Sequence, residues 1–564
     1  MKLIYYLLFI TTAIVGCKSQ SGNKVISTND VSSKERNLWY QKDLILDGIP
    51  GISLEKWHRE NSKIKTPRTD VIVATLDSQI DLNHEDLQGQ FWTNTKEIPE
   101  NGIDDDKNGY IDDIHGWSFL GTKSGNYIVW ENFEFIRYVR KWKPFFEGKK
   151  ERQINPSQLD NFKEYNRAQK KMDSITGVYE NWLKYISYNV AFFPRSKDTL
   201  KYFFPKENYT HHQLDSLYKI YKINDKTLKQ RRLDKDNDLG TMIDFMMARM
   251  EYNETNLDNL KDLAIQVDSM YNKSLNINYD ERIFIGDNPE VLEKGYGNNK
   301  ISASISGIRS YQGHNTKVSG IIAANRTNNL GVKGFSDKIK IMPINMSASG
   351  DEHDKDITMA IYYAVDNGAK VINMSFGKEF SVHKDWVLDA IRYAADHNVL
   401  IVHCSGNDSA DVDLNPQYPS DIDYISTKEI SNNFINVGST SKNIDSTFIS
   451  GFSNYGKENV DLFAPGENID VAVPENQYEI LSGTSFSAPM VSATAALIWL
   501  YYPAFTAKDV KHIILNSGTD YDLDVLIPGK NGKKEKFKNL SKSGKVLNVY
   551  NAMKLAKEYY MEKK

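Results

Sequence analysis

Asp77, His314 and Ser485 can relay a proton to a nucleophile, and each stands at the edge of an apolar segment. Ser485 lies in EILSGTSFSAPMVSATAALIWL (Glu479 to Leu500), where a small-residue turn delivers a hydroxyl onto an apolar helix. Gly483 and Thr484 leave its approach uncluttered, so a carbonyl has room to come within attack distance. A serine at the start of a buried helix also has free backbone N–H groups and the positive dipole end beside it, which suit a developing oxyanion. Pro489 reads as part of the first helical turn, where its missing N–H is not needed. His314 opens the small-residue helix GHNTKVSGIIAA, and Asp77 ends the β-branched run DVIVATLD, which reads as a buried parallel strand. Catalytic groups gather at the carboxyl ends of such strands.

A second group offers different chemistry. In NGIDDDKNGYIDDIHGW, Asp104, Asp106 and Asn108 alternate before Gly109. With Asp112 and the Tyr110 carbonyl they supply the oxygen donors a hard cation requires, which makes calcium the expected structural cofactor. His115 stands where an EF-hand places its bidentate glutamate, so this is no EF-hand, and the competing reading is a solvated acidic turn. DKDNDLG (Asp234 to Gly240) reads instead as a helix start or solvated turn.

The elements that must position these residues alternate. Strands are expected at Ile339 to Ile344, Val371 to Phe376 and Val399 to Cys404, and helices at Asp356 to Asn367 and Lys384 to His397. Such alternation predicts βαβ units and a three-layer αβα fold around a mostly parallel, doubly wound sheet. Residues 121–285 differ in character. Apolar and aromatic residues recur there at three- and four-residue steps over 157–191, 239–250 and 257–271, which predicts an inserted helical bundle. The expected division is therefore an α/β body at 37–120 and 286–560, with the insert between.

The chain of 564 residues carries 70 Lys and Arg against 74 Asp and Glu, without the basic excess of a nucleic-acid binder. Residues 1–16 have one lysine and an apolar run from Leu3 to Val15, too short to span a bilayer, and read as an export signal. Gly16 before Cys17 resembles the lipobox of bacterial lipoproteins. That resemblance implies cleavage before Cys17, lipidation of its thiol and anchoring at the cell envelope, with 17–36 as a flexible tether. Cys404 would then be the remaining thiol, three residues before Asn407 and open to inactivating mercurials.

The motifs TLDSQID, GHNTKVSGIIAA, VINMSFG, VHCSGND, SNYG, DLFAPG and SGTSFSAP, taken in order, resemble those of subtilisin-like serine proteases, the subtilases. The resemblance implies a serine endopeptidase with Ser485 as nucleophile, His314 as general base and Asp77 as its orienting acid. It implies that Asn407 joins the Ser485 N–H in an oxyanion hole. It implies too that Ser375, Phe376 and Gly377 pair with an extended polypeptide substrate. The alternative is a catalytically inactive binding protein on the same fold. One departure is His314-Asn315-Thr316, where the family has a glycine after the histidine; Asn315 is expected to take a positive φ there.

Overall fold

The β-branched run before Asp77 forms strand β1 (Val71–Asp77), buried along nearly its whole length. In this computed structural model the described residues are 38–563, apart from 63–66, 68, 303–312, 424, 425 and 427. The export signal, Cys17 and the tether lie outside the described residues. The remaining strands of the main sheet are β2 (Trp117–Ser118), β3 (Ile339–Asn345), β4 (Val371–Met374), β5 (Leu400–Cys404), β6 (Phe434–Thr440), β7 (Leu462–Pro465), β8 (Thr519–Asp520) and β9 (Lys545–Val546). They lie in the order β8-β9-β7-β6-β5-β4-β1-β3-β2. Every neighbouring pair is parallel except β8 with β9.

Alternation along β1 decides where its terminal acid points. Val71 and Val73 join a core with Val318, Ile321 and Val491, whereas Ala74 and Leu76 join a second core with Ile357, Ile361 and Ile391. Successive strand side chains face opposite ways, so Asp77 falls on the Val73 face. That face carries the helices His314–Ala323 and Thr484–Tyr501. The opposite face carries Asp354–Asp366 and Lys384–Asp396, close to the expected bounds. The serine helix is buried from Phe486 to Leu500, so it is apolar all round because packing surrounds it.

Residues Val139–Tyr279 form a compact unit of their own, and the flanking chain forms the other. The division falls inside the 121–285 stretch marked out by composition. The unit is built on one helix, Leu159–Leu200, which continues past Pro194 and beyond the 157–191 periodicity. Helices His211–Tyr221, Leu239–Glu251 and Leu257–Ser269 accompany it. Asp238, in the acidic stretch read as a helix start, accepts from Thr241 N and caps its helix at 3.0 Å.

The chain leaves and rejoins the larger unit through buried ions. Arg137 bonds Glu134 at 2.5 Å and the Asp351 carbonyl at 2.6 Å. Arg282 pairs with Asp287 and with Asp356, the latter at 2.7 Å. These side chains are buried, so removing Arg282 leaves the Asp356 carboxylate without its cation, while Lys355 still holds Asp287 at 2.7 Å. Arg282→Leu is expected to cost about 3–5 kcal/mol, read as a lowered urea midpoint. An unchanged midpoint would show that these ions do not secure the crossing.

Candidate active site

β1 delivers Asp77 into the sheet's carboxyl edge, where its side chain is 3% exposed. Both carboxylate oxygens lie 2.9 Å from His314 Nδ1, and Oδ1 also accepts from Ser78 N at 2.6 Å. A carboxylate only accepts, so Nδ1 carries the proton and Nε2 is left as the basic nitrogen. His314 is the first residue of its helix. Gly313, not Asn315, makes the entry turn, at φ +91°, and a Cβ there would lie 2.3 Å from Pro474 Cγ. Asn315 is helical and buried, donating to the Ser78 carbonyl at 3.2 Å and accepting from Ser319 Oγ at 2.9 Å. The expected positive φ at Asn315 is therefore corrected.

Ser485 is the second residue of the helix Thr484–Tyr501 and is partly exposed. The ring of Phe486, the next residue in the chain, lies 6.1 Å from the His314 ring. Ser485 Oγ donates to the Ser375 carbonyl at 3.1 Å, and Ser375 Oγ donates back to the Ser485 carbonyl at 3.0 Å. Pro489 explains the second bond. It is the sixth residue of the helix, past the first turn where it was expected, and it has no N–H to give the carbonyl four residues before it. That carbonyl belongs to Ser485, and Ser375 takes the vacant place.

Asn407 Oδ1 accepts from Thr484 N at 2.9 Å and from Thr484 Oγ1 at 3.0 Å. With the oxygen pinned, Nδ2 is the end left to donate beside the first turn of the serine helix, 3.8 Å from a Cβ built on Gly483. Ser375, Phe376 and Gly377 follow β4. Ser375 is buried and Gly377 exposed, and no bond among the described residues uses the Gly377 N–H or carbonyl.

A profile of the subtilase family matches residues 68–541. The chain belongs to the subtilase family. It is 35% identical over 214 residues to the cell wall-associated protease of Bacillus subtilis, covering 38% of this chain and 22% of that one. It is 32% identical over 213 residues to thermitase of Thermoactinomyces vulgaris, covering 38% of this chain and 70% of that protein. Against the major intracellular serine protease of Bacillus subtilis the figures are 34% over 196 residues, 34% and 57%. The chain thus spans from about a fifth to 70% of the length of these relatives. A cold adapted subtilisin-like serine proteinase of known structure is 23% identical with a TM-score of 0.33, over 42% of this chain and 74% of that one.

In this subtilase the acidic turn gathers differently from its sequence spacing. Ligand atoms of Asp104 and Asp106 lie within 4.8 Å of one another and of Glu97. Hard carboxylate oxygens in that grouping fit calcium, and none of the three takes part in an ion pair among the described residues. Asp112 instead caps the Asn101 and Gly102 N–H groups with its two oxygens, at 3.2 and 2.9 Å. Asn108 Oδ1 accepts from Tyr110 N at 2.8 Å, and the Tyr110 ring is buried against Trp117 and Tyr363. Glu97 carries no spacing signal, since it precedes the alternating acids. Asp113, which follows Asp112 in the same acidic stretch, is buried and accepts from Tyr363 OH at 2.6 Å, and burial pushes its carboxyl up to about 6.

Cys404 ends β5 with its Sγ 3.6 Å from the Phe376 carbonyl, but it is 3% exposed. Burial pushes its thiol up to about 12, so the reactive thiolate is suppressed. Such burial argues against ready attack by mercurials. Native protein at pH 8 is expected to leave Cys404 unlabelled by a thiol reagent and to label it fully after unfolding. Stoichiometric labelling of the native protein would refute the assignment of an inert thiol.

Proposed function

We propose that this subtilase is a serine endopeptidase acting through an acyl-enzyme. The observation that carries the reading is the pair of 2.9 Å contacts from Asp77 to His314 Nδ1, with the ring of Phe486, the residue after Ser485, 6.1 Å from the same imidazole. In the reaction the Ser485 hydroxyl swings from the Ser375 carbonyl to His314 Nε2, gives up its proton and attacks the scissile carbonyl. Asp77 holds the imidazole in the required tautomer and stabilises the imidazolium. Asn407 Nδ2 and the Ser485 N–H receive the oxyanion. His314 then returns the proton to the leaving amine, and water releases the acyl group by the same route. An extended polypeptide pairs with the open backbone at Gly377, which gives sequence-tolerant main-chain recognition.

Two further readings complete the proposal. Glu97, Asp104 and Asp106 would hold a structural calcium ion that ties down the turn between β1 and β2. Lipidation at Cys17 would anchor the exported enzyme at the cell envelope, on the strength of the lipobox resemblance and the apolar run before it.

Ser485→Ala and His314→Ala are each expected to lower peptidase turnover by about 10⁶, the magnitude known for subtilisin. Fluorophosphonate labelling should vanish in Ser485→Ala. Near-wild-type turnover in either variant would overturn the mechanism, and a native protein that neither labels nor cleaves peptides would favour the inactive binding protein.

Chelation by EDTA should lower the melting temperature, because binding to the folded state alone contributes about 2.7 kcal/mol at a hundredfold excess over Kd. Asp106→Ala should abolish that difference. A wild-type melting curve unmoved by EDTA would remove calcium from the proposal.

A further inference from the structure

Gly377 is exposed, and the chain is buried on either side of it, at Ser375 and at Lys378. Ser375 is fastened to the serine helix by the pair of bonds described above. Lys378 is fastened to more of the molecule. Its N–H donates to the Tyr418 carbonyl at 2.9 Å, and Tyr418 N donates back to its carbonyl at 2.8 Å. Its ammonium lies 2.7 Å from Asp354 Oδ1 and 3.1 Å from Glu134 Oε1, and it donates to the Glu352 carbonyl at 2.5 Å. An ammonium carries three N–H groups, so these three oxygens match its capacity. Burial works against the charge, but Asp354 and Glu134 hold the group above the ordinary lysine range.

The partners come from separate elements. Asp354 opens the helix Asp354–Asp366, and Glu352 lies just before it in the connection from β3. Glu134 opens the helix Glu134–Phe146. Both carboxylates also hold the chain beyond Lys378. Glu134 Oε1 accepts from Val382 N at 3.0 Å, and Asp354 Oδ2 accepts from Ser381 Oγ at 2.9 Å and from His383 N at 2.7 Å. A lysine is costly to bury and is kept in place only by such partners. No bond among the described residues joins Lys378 to the triad or to Asn407, so its effect reaches the site through the backbone beside it.

We propose that Lys378 is a positioning residue: by fixing the chain directly after Gly377, it keeps the open Gly377 N–H and carbonyl set for pairing with an extended polypeptide. This rests on the endopeptidase reading. A peptide that pairs with a loose edge must first order that edge, and the ordering weakens binding. An edge held at Ser375 on one side and at Lys378 on the other is ordered already. The gain grows with each residue of substrate that pairs, whereas a reagent that meets Ser485 alone gains nothing from it.

The test compares the full chain with K378M and E134Q on fluorogenic peptides that place one to four residues before the leaving amine. Labelling of Ser485 by a fluorophosphonate is run alongside. K378M keeps an unbranched side chain without the charge. E134Q takes away one of the two carboxylate partners and keeps the acceptor for Val382 N. Expected in wild type is a kcat/KM that rises with peptide length. In K378M the value for the longest peptide should fall about a hundredfold while the labelling rate stays that of wild type, and E134Q should show the same pattern to a smaller extent. A length gain in K378M equal to that of wild type overturns the proposal. So does labelling that falls as far as peptide cleavage, because that is a general loss of structure. If K378M does not fold, E134Q decides, and an unchanged length gain there overturns the assignment. Wild type that labels yet gains nothing from length sinks the positioning role alone, whereas wild type that neither labels nor cleaves sinks the endopeptidase reading itself.

Discussion

The two hydrogen bonds exchanged by Ser375 and Ser485 join the end of β4 to the start of the serine helix, and the geometry of the site depends on that joint. It exists because Pro489 withholds an N–H that would otherwise occupy the Ser485 carbonyl. Deeper in the same helix, Ser492 Oγ bonds Asn373 Oδ1 at 2.8 Å, and Asn373 Nδ2 bonds Ser375 Oγ at 2.9 Å. Strand and helix are thus laced at successive points. Asn407 is bound to the same piece through Thr484, so Ser485, Asn407 and Ser375 are held together. A helix packed on every side cannot shift without opening voids, which fixes this piece against the sheet.

Asp77 and His314 form a second piece, related to the first through strand pairing. β1 and β4 are in register with Leu76 opposite Met374, so Asp77 and Ser375 follow their strands at the same level. The alternation that turns Asp77 toward Val73 turns Ser375 toward the same face as Val371. Two short sequence facts, the period of a strand and the length of each run, therefore place three chemical groups from distant parts of the chain.

Those periods were legible from residues alone, and so were the strand ends, because β-branched runs closed by a polar residue have few alternatives. What was not legible depended on partners. Pro489 reads as a first-turn proline until Ser375 supplies the missing donor. Asn315 reads as a turn residue until Gly313 takes the positive φ. Asp112 alternates properly for a cation ligand yet lies outside the grouping that Asp104 and Asp106 form with Glu97. Glu97 lies outside any spacing and enters through folding of the loop. Composition changes at 121, whereas the chain keeps packing with the larger unit to Tyr138.

Residues near both ends of the described chain share one core. Ile52, Leu54 and Trp57 pack with Val549, Ala552 and Met553, and with Leu497 and Trp499 of the serine helix. Val549 N donates to the Ile52 carbonyl at 2.8 Å, and Asn548 Nδ2 bonds Ser53 Oγ across 495 positions. On a ribosome adding about 5–20 residues per second, these partners emerge on the order of half a minute or more apart. The early strands must wait through that interval with one side of the core unfilled. Vectorial synthesis thus makes the helix Val549–Glu562 the last part of the core to arrive, well after Ser485 itself has been made.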